Sequence, residues 1–450
     1  MKFTKMSLVA ALLIGSSAFA IDNVKVSGDA KLYYSTKDAT SAGVVAGTNA
    51  NSSTSVAAAG PALRTDDSLF SSANSAGQAA LGLGVTANLT KNVSAGAHLT
   101  ALSTLGLQGQ LVGNVWEGTN GTKDTYWFDE AWIAGTLGKT TAKIGRMELD
   151  TPYVFSETWS VAKNTFEAAV LINQDIPDTT LVGAYVGAGN GSTPRNLGHT
   201  GTALQGAGVG IANVIGAQDG NGETNFETFY NGAYAVGAIN NSFKPLTVQA
   251  WYFYATQAVD AYWLQADLDM EGFLAGVQYT DLNYKKQLTG LTDDYDNDAF
   301  AVMLGYEGMK DVATIKVAYS STGTEKNLGG LGAGQNLSGT GQSKLYTEAW
   351  WNYGYVTRAD TDAWNVTVTS PVQGMFDLGL YYTSTTTSDN GVANTPDVDM
   401  DEFTVTAGKD FGPLNATLAY IYTNADDQNV DANGNGQDYN TVQAYLTYNF

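Results

Sequence analysis

Acidic residues alternate along three short stretches of the chain, a spacing that could supply oxygen ligands to Ca²⁺. These residues are Asp294, Asp296 and Asp298, then Asp397, Asp399 and Asp401, and finally Asp431, which begins the stretch Asp431-x-Asn433-x-Asn435-Gly436. Calcium prefers about six to eight oxygen ligands, and the last stretch matches the first half of an EF-hand loop. The match is incomplete, because Val442 takes the place of the closing Glu, and in the first stretch Ala299 takes the place of the turn glycine. A structural Ca²⁺ and solvated surface charge therefore both stay open, and no cofactor is required.

The sequence offers little support for catalytic chemistry. The chain has two histidines, His98 and His199, and no Cys, which excludes thiolate catalysis and Cys-based zinc sites. It contains no Gly-x-Ser-x-Gly elbow, no His-Glu-x-x-His zinc motif and no phosphate-binding loop. His98 alternates with the apolar residues of the stretch 93–99, so a period of two predicts that it points away from them. We expect that the protein is not an enzyme.

The composition excludes further classes. Of the 450 residues, 44% are hydrophobic and only 15% are charged, whereas soluble domains carry about 25% charged residues. The 44 acidic and 22 basic residues give a formal charge of −22. Because such a balance repels phosphates, we expect no nucleic-acid partner.

The first twenty residues have the pattern of a secretory signal peptide. Lys2 and Lys5 precede an apolar run over 6–15, and Ala18-Phe19-Ala20 matches the small-x-small cleavage pattern. The run is well below the roughly 20 apolar residues that span a bilayer as a helix. We therefore expect segment 1–20 to be removed on export, leaving a mature chain over 21–450.

Strict alternation of apolar and polar residues predicts β-strands along the mature chain. In the last strand, Val442, Ala444, Leu446, Tyr448 and Phe450 alternate with Thr441, Gln443, Tyr445, Thr447 and Asn449. Such segments approach the roughly 9 to 11 residues of a tilted membrane-crossing strand. About eighteen are predicted, over 24–34, 77–89, 91–102, 125–137, 139–147, 164–173, 179–188, 226–238, 243–254, 258–268, 271–281, 298–307, 311–321, 362–371, 374–384, 401–411, 413–423 and 439–450. The stretch 345–355 is partly strand-like but would make the number odd, so we place it in a loop.

The connections alternate between tight turns and long polar loops. Tight turns occur at 90–91, 138 and 412, among others, whereas the long connections include 35–76, 148–163, 189–225 and 322–361. This segregation is typical of outer-membrane barrels, with short periplasmic turns and long extracellular loops. The predicted fold class is therefore all-β, a transmembrane antiparallel barrel of about eighteen strands that fills 21–450.

Aromatic pairs near the strand ends agree with this fold. The pairs Tyr33-Tyr34, Trp251-Tyr252, Tyr262-Trp263 and Tyr381-Tyr382, and Tyr420 with Tyr422, are predicted at the membrane interface, where amphipathic rings are favoured. Aromatic packing in a soluble β core is the alternative.

The whole pattern resembles a bacterial outer-membrane porin. The final strand Leu446-Thr447-Tyr448-Asn449-Phe450 is similar to the signal that the barrel-insertion machinery recognises in such proteins, with Tyr448 and Phe450 as its aromatic residues. The segment Gly145-Arg146-Met147-Glu148-Leu149-Asp150-Thr151-Pro152 is followed by Asn164-Thr165-Phe166-Glu167-Ala168 and by Ile176-Pro177-Asp178-Thr179. Together these three stretches resemble the region of the third loop in OprD-like porins and in the major outer-membrane proteins of epsilonproteobacteria.

The resemblance implies a homotrimeric passive channel in the outer membrane, surrounded by lipid and lipopolysaccharide and reached through the periplasm. It also implies that the third loop folds inward as a constriction. The charged residues of that region, with carboxylates in the majority, are Arg146, Glu148, Asp150, Glu157 and Lys163. Because rings of charge at the narrowest point set pore selectivity, we expect small cations to pass more readily than anions.

Two more residues are predicted in the channel interior, and one alternative function is kept. Periodicity places His98 and Lys316 on the inward face of their strands, where Lys316 partly offsets the carboxylates. The alternative is an adhesin or other surface-structural barrel whose lumen is closed. The sequence does not determine which solutes pass.

Overall fold

The computed structural model describes most of the predicted barrel. The described residues are 22–38, 68–71, 75–103, 105, 114–115, 125–159, 161–190, 226–256, 258–286, 294–309, 312–324, 332–338, 341–372, 374–388, 398–424 and 438–450. The predicted signal peptide lies outside them and stays a prediction. No helix among these residues is long and apolar enough to cross a membrane.

The described residues form nineteen strands, of which one is a two-residue segment. They are β1 (Asp22–Lys37), β2 (Ser75–Thr90), β3 (Val93–Ser103), β4 (Asn114–Val115), β5 (Thr125–Leu137), β6 (Thr140–Met147), β7 (Phe166–Asn173), β8 (Thr179–Gly189), β9 (Glu227–Asn240), β10 (Leu246–Ala255), β11 (Val259–Met270), β12 (Phe273–Tyr284), β13 (Tyr295–Met309), β14 (Ala313–Thr322), β15 (Thr361–Val372), β16 (Phe376–Thr387), β17 (Val398–Phe411), β18 (Leu414–Asn424) and β19 (Tyr439–Asn449).

The long strands form one closed antiparallel barrel. Each pairs with its neighbours in the chain, and β1 pairs with β19 in a register that joins Asp29 to Asn449 and Tyr34 to Ala444. The short β4 pairs in parallel with β2 and is not one of the eighteen barrel strands. The predicted fold class is confirmed, and the stretch 345–355 contains no strand, as expected.

The two faces of the wall differ in the way that the alternation predicts. On β13, Phe300 is 44% and Leu304 69% exposed, whereas the intervening Ala301 is fully buried. The outer face carries exposed Leu, Val, Ile, Phe and Tyr side chains on most strands. Because monomeric soluble proteins rarely expose so much contiguous apolar surface, this face is suited to a lipid environment.

The pairs of adjacent aromatic residues are divided between the two faces, so for them the prediction that both rings lie at the interface is wrong, whereas Tyr420 and Tyr422 share the outer face. Tyr252 and Tyr262 point outward and are 36% and 49% exposed, but their neighbours Trp251 and Trp263 point inward and are buried. The reason is the pleat, which turns successive side chains to opposite faces.

Two long connections fold into the barrel. We name residues 148–165, between β6 and β7, loop 3, and residues 323–360, between β14 and β15, loop 7. The largest cluster of buried apolar residues joins Leu149 and Tyr153 of loop 3 to the inward faces of strands including β8–β13. A second cluster joins Val161 of loop 3 and Trp351 of loop 7 to other strands, including β1 and β18. The apolar core of this protein therefore lies inside the barrel, between the wall and these loops.

Candidate functional site

The tip of loop 3 is anchored on the inner wall. Tyr153 is fully buried, and its ring meets those of Phe253 and Trp263 edge-on, with centroids 5.4 and 6.0 Å away. Its hydroxyl is hydrogen-bonded to Thr280 of β12. Burial raises the pKa of this phenol well above its ordinary value, so the ring stays neutral. Loop 3 therefore reaches from β6 along the wall to β12.

A tight turn shapes that tip. The Thr151 hydroxyl donates to the carbonyl of Val154 at 2.7 Å, and the amide of Ser156 donates to the carbonyl of Leu149 at 2.8 Å. Pro152 fits this turn because its fixed φ suits the second position of a type I or II turn.

Glu148 and Lys163 face each other across the base of loop 3. The Lys163 ammonium forms an ion pair with Glu148 and a second one, 2.8 Å long, with Glu130 of β5. Burial lowers the pKa of Lys163, but its bonds to Glu130 and Glu148 outweigh that effect and hold the pKa above its ordinary value. The lysine therefore stays charged, and the Glu148 side chain is still 45% exposed.

Asp150 is the most exposed charge of loop 3 among the predicted site residues. Its side chain is 84% exposed and forms an ion pair with Lys344 of loop 7. The Lys344 ammonium also lies 4.9 Å above the ring of Phe155. Sequence reasoning did not find Lys344, because it is 194 residues away from its partner in the chain.

Arg146 and Glu157 are not where the sequence analysis placed them. Arg146 shares the outer face of β6 with Ile144, and its guanidinium donates to Glu167, also outside, at 2.9 Å. Glu157, a residue of loop 3, is 1% exposed and accepts a hydrogen bond from the Asn336 side chain of loop 7 at 3.0 Å. The pleat places Arg146 outside, and loop 7 buries Glu157.

Loop 7 is fastened to the wall by a buried carboxylate. Glu402 of β17 is 1% exposed and accepts hydrogen bonds from the backbone amides of Trp351, at 3.1 Å, and Asn352, at 2.7 Å. The Asn352 side chain donates to the same carboxylate at 2.8 Å and to the Thr423 hydroxyl of β18 at 3.0 Å. One acidic side chain therefore satisfies donors that loop 7 would otherwise leave buried without partners.

The other half of loop 7 lies on β11 and β12. The Tyr346 hydroxyl donates to Asp267 at 2.5 Å, and its backbone amide donates to the Gln278 side chain at 3.1 Å. The Gln278 amide donates in turn to the carbonyl of Lys344 at 2.8 Å. Loop 7 thus extends over the inner wall from β11 to β18.

The two loops also contact each other. Asn164 of loop 3 donates to the carbonyl of Ser338 at 3.2 Å, and the Trp159 ring meets that of Trp351 edge-on at 5.6 Å. Together with the Asp150–Lys344 pair, these contacts join loops 3 and 7 into one inner layer.

His98 points inward, as the alternation predicts. Its Nδ1 lies 2.6 Å from Asp129 and its Nε2 3.6 Å from Asp29. Gly82 makes room for this arrangement, since a Cβ there would lie 2.4 Å from the Asp29 carboxylate and 2.8 Å from the imidazole. The histidine is held between two carboxylates on the wall.

Carboxylates outnumber cations on the described inner strand faces and on loops 3 and 7. Lys316 is exposed on the inner face of β14, which agrees with its predicted position. Apart from the buried Glu348, the acidic residues are Asp29, Asp129, Glu130, Glu148, Asp150, Glu157, Asp267, Asp269, Glu307, Asp360, Asp377, Glu402 and Asp410, and the Lys and Arg residues are Lys25, Lys31, Lys37, Lys143, Lys163, Lys316, Lys344 and Arg358. The interior is therefore acidic on balance.

Glu348 of loop 7 makes the attachment of that loop sensitive to pH. Burial raises the pKa of its carboxyl from 4.5 to about 8, and Glu402 acts in the same direction. Protonation of Glu348 therefore stabilises the folded loop. This stabilisation is complete below about pH 4.5 and is lost as the pH rises through 8. We expect hydrogen exchange at Ser343 and Ala349, whose amides donate to Glu348, to be faster at pH 9 than at pH 6 after correction for intrinsic rates. Glu348→Gln should abolish most of this difference, and an equal difference in the variant would refute the assignment.

The acidic stretches show no metal site within the described ranges. Asp296 and Asp298 lie on the outer face of β13, and Asp399 and Asp401 on that of β17. The Asp294 carboxylate accepts a hydrogen bond from the backbone amide of Lys286 at 2.9 Å. Asp397 and Asp431 lie outside the described residues. The described residues include no group of three or more His, Asp or Glu side chains that could hold a metal ion. Calcium in the loops stays a prediction.

The predicted insertion signal completes the barrel. Tyr448 and Phe450 point outward and are 44% and 58% exposed. The backbone of Phe450 exchanges two hydrogen bonds with Gly28 of β1, at 2.8 and 2.9 Å. The terminal residues therefore help to close the wall, and their recognition by insertion machinery stays a prediction.

Comparison with solved structures supports this architecture. Acinetobacter baumannii OccAB1 matches with a TM-score of 0.65 at 11% identity, over 97% of this chain and 98% of that one. Pseudomonas aeruginosa OccK8 (OprE) matches at 0.62 and 13%, over 95% and 98%, and OpdK of the same organism, solved with vanillate, at 0.60 and 12%, over 95% and 98%. No protein-family model and no curated protein matches the chain. These likenesses confirm the resemblance to OprD-like porins at the level of the fold, while the epsilonproteobacterial detail stays a prediction.

Proposed function

We propose that the protein is an outer-membrane channel through which small hydrophilic solutes and ions diffuse passively. The observation that carries this proposal is a closed barrel that is apolar outside and lined with ionised groups within, at Glu148, Lys163, Asp150 and Lys344. Ionised side chains are costly to place inside a barrel unless water surrounds them. The fold favours a channel over an enzyme.

Loops 3 and 7 together form the constriction in this proposal. Loop 3 alone is anchored from β6 to β12, and loop 7 covers the wall from β11 to β18. The open passage is then bounded by the exposed charges at the junction of the two loops, which include Asp150 and Lys344.

Cations pass more readily than anions in this channel. Carboxylates are in excess on the inner surface, and Glu148 and Asp150 keep much of their surface exposed despite their lysine partners. A unit charge about 5 Å from a permeating ion in water contributes roughly 0.8 kcal/mol, about a four-fold change in its local concentration.

Neutralising Glu148 tests the filter. Glu148→Gln should lower the K⁺ to Cl⁻ permeability ratio roughly two- to four-fold, measured as the reversal potential in a KCl gradient. The matched control is Glu167→Gln, which removes the same charge at the same end of the wall but on its outer face. If the K⁺ to Cl⁻ permeability ratio changes equally in both variants, or changes in neither, Glu148 is not part of the filter.

The location and assembly belong to the same proposal. Export through the periplasm, contact with lipid and lipopolysaccharide, and delivery by the barrel-insertion machinery follow from the resemblance to porins, as does the homotrimer. Cross-linking followed by light scattering of the detergent-solubilised protein measures the number of subunits.

A surface-structural barrel is the second candidate, favoured by one observation. Loop residues including Tyr153, Asn164, Leu337 and Thr357 are almost completely buried, so both loops occupy space inside the barrel. A folded protein that inserts into bilayers without conducting ions would favour this function.

A further inference from the structure

One aromatic ring lies flat against the inner wall. Tyr381 points inward from β16, and a Cβ added to Gly379, two residues before it, would lie 2.6 Å from the ring and 2.7 Å from its hydroxyl. The ring therefore covers the position where a side chain at 379 would stand. Tyr381 is half-buried, so part of its surface remains open to the interior.

A second ring extends this surface. Trp350 of loop 7 is also half-buried, and its ring centroid lies 6.3 Å from that of Tyr381 at an interplanar angle of 40°. Behind it, Trp351 is buried, with its centroid 6.5 Å from that of Trp350, and fixes the position of the pair. We name Tyr381 and Trp350 the aromatic platform.

Hydroxyl groups surround the platform. In the strand register, Tyr381 lies opposite Thr367 of β15, and Gly379 lies between Thr369 and Thr406. Directly opposed residues have Cβ atoms about 5 Å apart, within reach of a ligand that covers the ring. The Thr367 hydroxyl donates to Asn365 at 3.0 Å, so an amide group adjoins these hydroxyls.

On the strands that carry it, the wall around the platform is uncharged. On the inner faces of β15–β18, within the described residues 361–372, 374–388 and 398–424, the charged side chains are Glu402, Asp377 and Asp410. Glu402 is covered by loop 7, and the two aspartates lie at the opposite end of the barrel, next to the tight turns. On the next strand, β14, Lys316 lies opposite Thr367, and its side chain extends over Gly305 of β13. A charged solute would therefore find no opposite charge on the strands that carry the platform.

We propose that the aromatic platform and the threonines around it form a binding site for neutral polyhydroxylated solutes of the saccharide type. A pyranose ring has one face of C–H groups, which stacks on Tyr381 and Trp350, while its hydroxyls exchange hydrogen bonds with the half-buried Thr367 and Thr369. This site rests on the proposed channel function, because its ligands are solutes that pass through the barrel.

Two measurements test the site with maltotriose as the probe. In single-channel recordings, millimolar maltotriose should cause resolvable blocking events, whereas a polyethylene glycol of equal mass, which has no stacking face, should not. Isothermal titration calorimetry of the detergent-folded protein measures the same binding without any need for conductance. Trp350→Ala should raise the Kd roughly ten-fold and shorten the blocks equally. Tyr381→Phe should change the Kd less than two-fold.

The control variant is Tyr382→Ala, which removes a ring of the same strand from the outer face, where Tyr382 is 41% exposed. It should leave maltotriose binding unchanged. Conductance without saccharide binding, binding that Trp350→Ala does not weaken, or stronger block by benzoate or choline than by maltotriose would each overturn the site. Binding without conductance would instead refute the proposed channel. Heat-modifiable mobility in gels confirms that each variant has a folded barrel.

Discussion

Glu402→Ala will raise the single-channel conductance roughly two-fold and make the open-channel current noisier, because loop 7 will leave the wall. The carboxylate accepts hydrogen bonds from the amides of Trp351 and Asn352 and from the Asn352 side chain. Hydrogen bonds to a charged group contribute about 1.5–3 kcal/mol each, and buried donors left without partners cost more still. We expect the loss of these hydrogen bonds to detach the middle of loop 7. Single-channel recording in planar bilayers measures the conductance.

The control for this prediction is Glu402→Gln. This variant keeps one carbonyl oxygen that can accept a hydrogen bond from the backbone amide of Asn352. Its channel conductance should therefore stay nearer to that of the wild type. Hydrogen exchange at Trp351 and Asn352 reports whether the loop has been released. Released amides with an unchanged conductance would show that loop 7 does not narrow the passage.

Reversing the charge of Lys344 will increase cation selectivity roughly fifteen-fold, and reversing the charge of Asp150 will shift the selectivity toward anions. Lys344→Glu changes the local charge by two units next to the exposed Asp150 carboxylate. Each unit about 5 Å from the ion contributes roughly 0.8 kcal/mol in water, so two units correspond to about a fifteen-fold change in permeability ratio. Asp150→Lys acts in the opposite direction, and the reversal potential measures both.

The double exchange Asp150→Lys with Lys344→Asp is the matched control, because it keeps the net charge and the ion pair. Its permeability ratio should return to within about two-fold of the wild-type value. Single variants that leave the reversal potential unchanged would place this pair away from the ion path.

The strands were predictable because their signal is local. In β19, outward Val442, Leu446 and Tyr448 alternate with inward Gln443, and the structure retains this order. Membrane strands must alternate between lipid and interior, so a period of two is required in every one of them. The same rule could have placed Arg146 outside, since Arg146 is two residues from the outward Ile144 and therefore lies on the same face of β6.

The inner layer was only partly predictable, because its contacts join residues far apart in the chain. Glu148, Asp150 and Lys163 were found through local charge. Glu157 is buried by Asn336, which is 179 residues away, and nothing near Glu157 in the sequence indicates that contact. Loop 7 likewise has no period that marks it as an inner layer, although its aromatic stretch 350–355 and the buried Glu402 are signs in retrospect. Tertiary packing, which a single sequence does not display, decides these positions.

Single-channel recording of the refolded protein under a KCl gradient tests whether the barrel holds the proposed water-filled, cation-preferring passage. We predict stepwise openings with a reversal potential on the cation-selective side. An anion-selective potential would contradict the role given to Glu148 and Asp150, and a folded, inserted protein without conductance would contradict the channel itself.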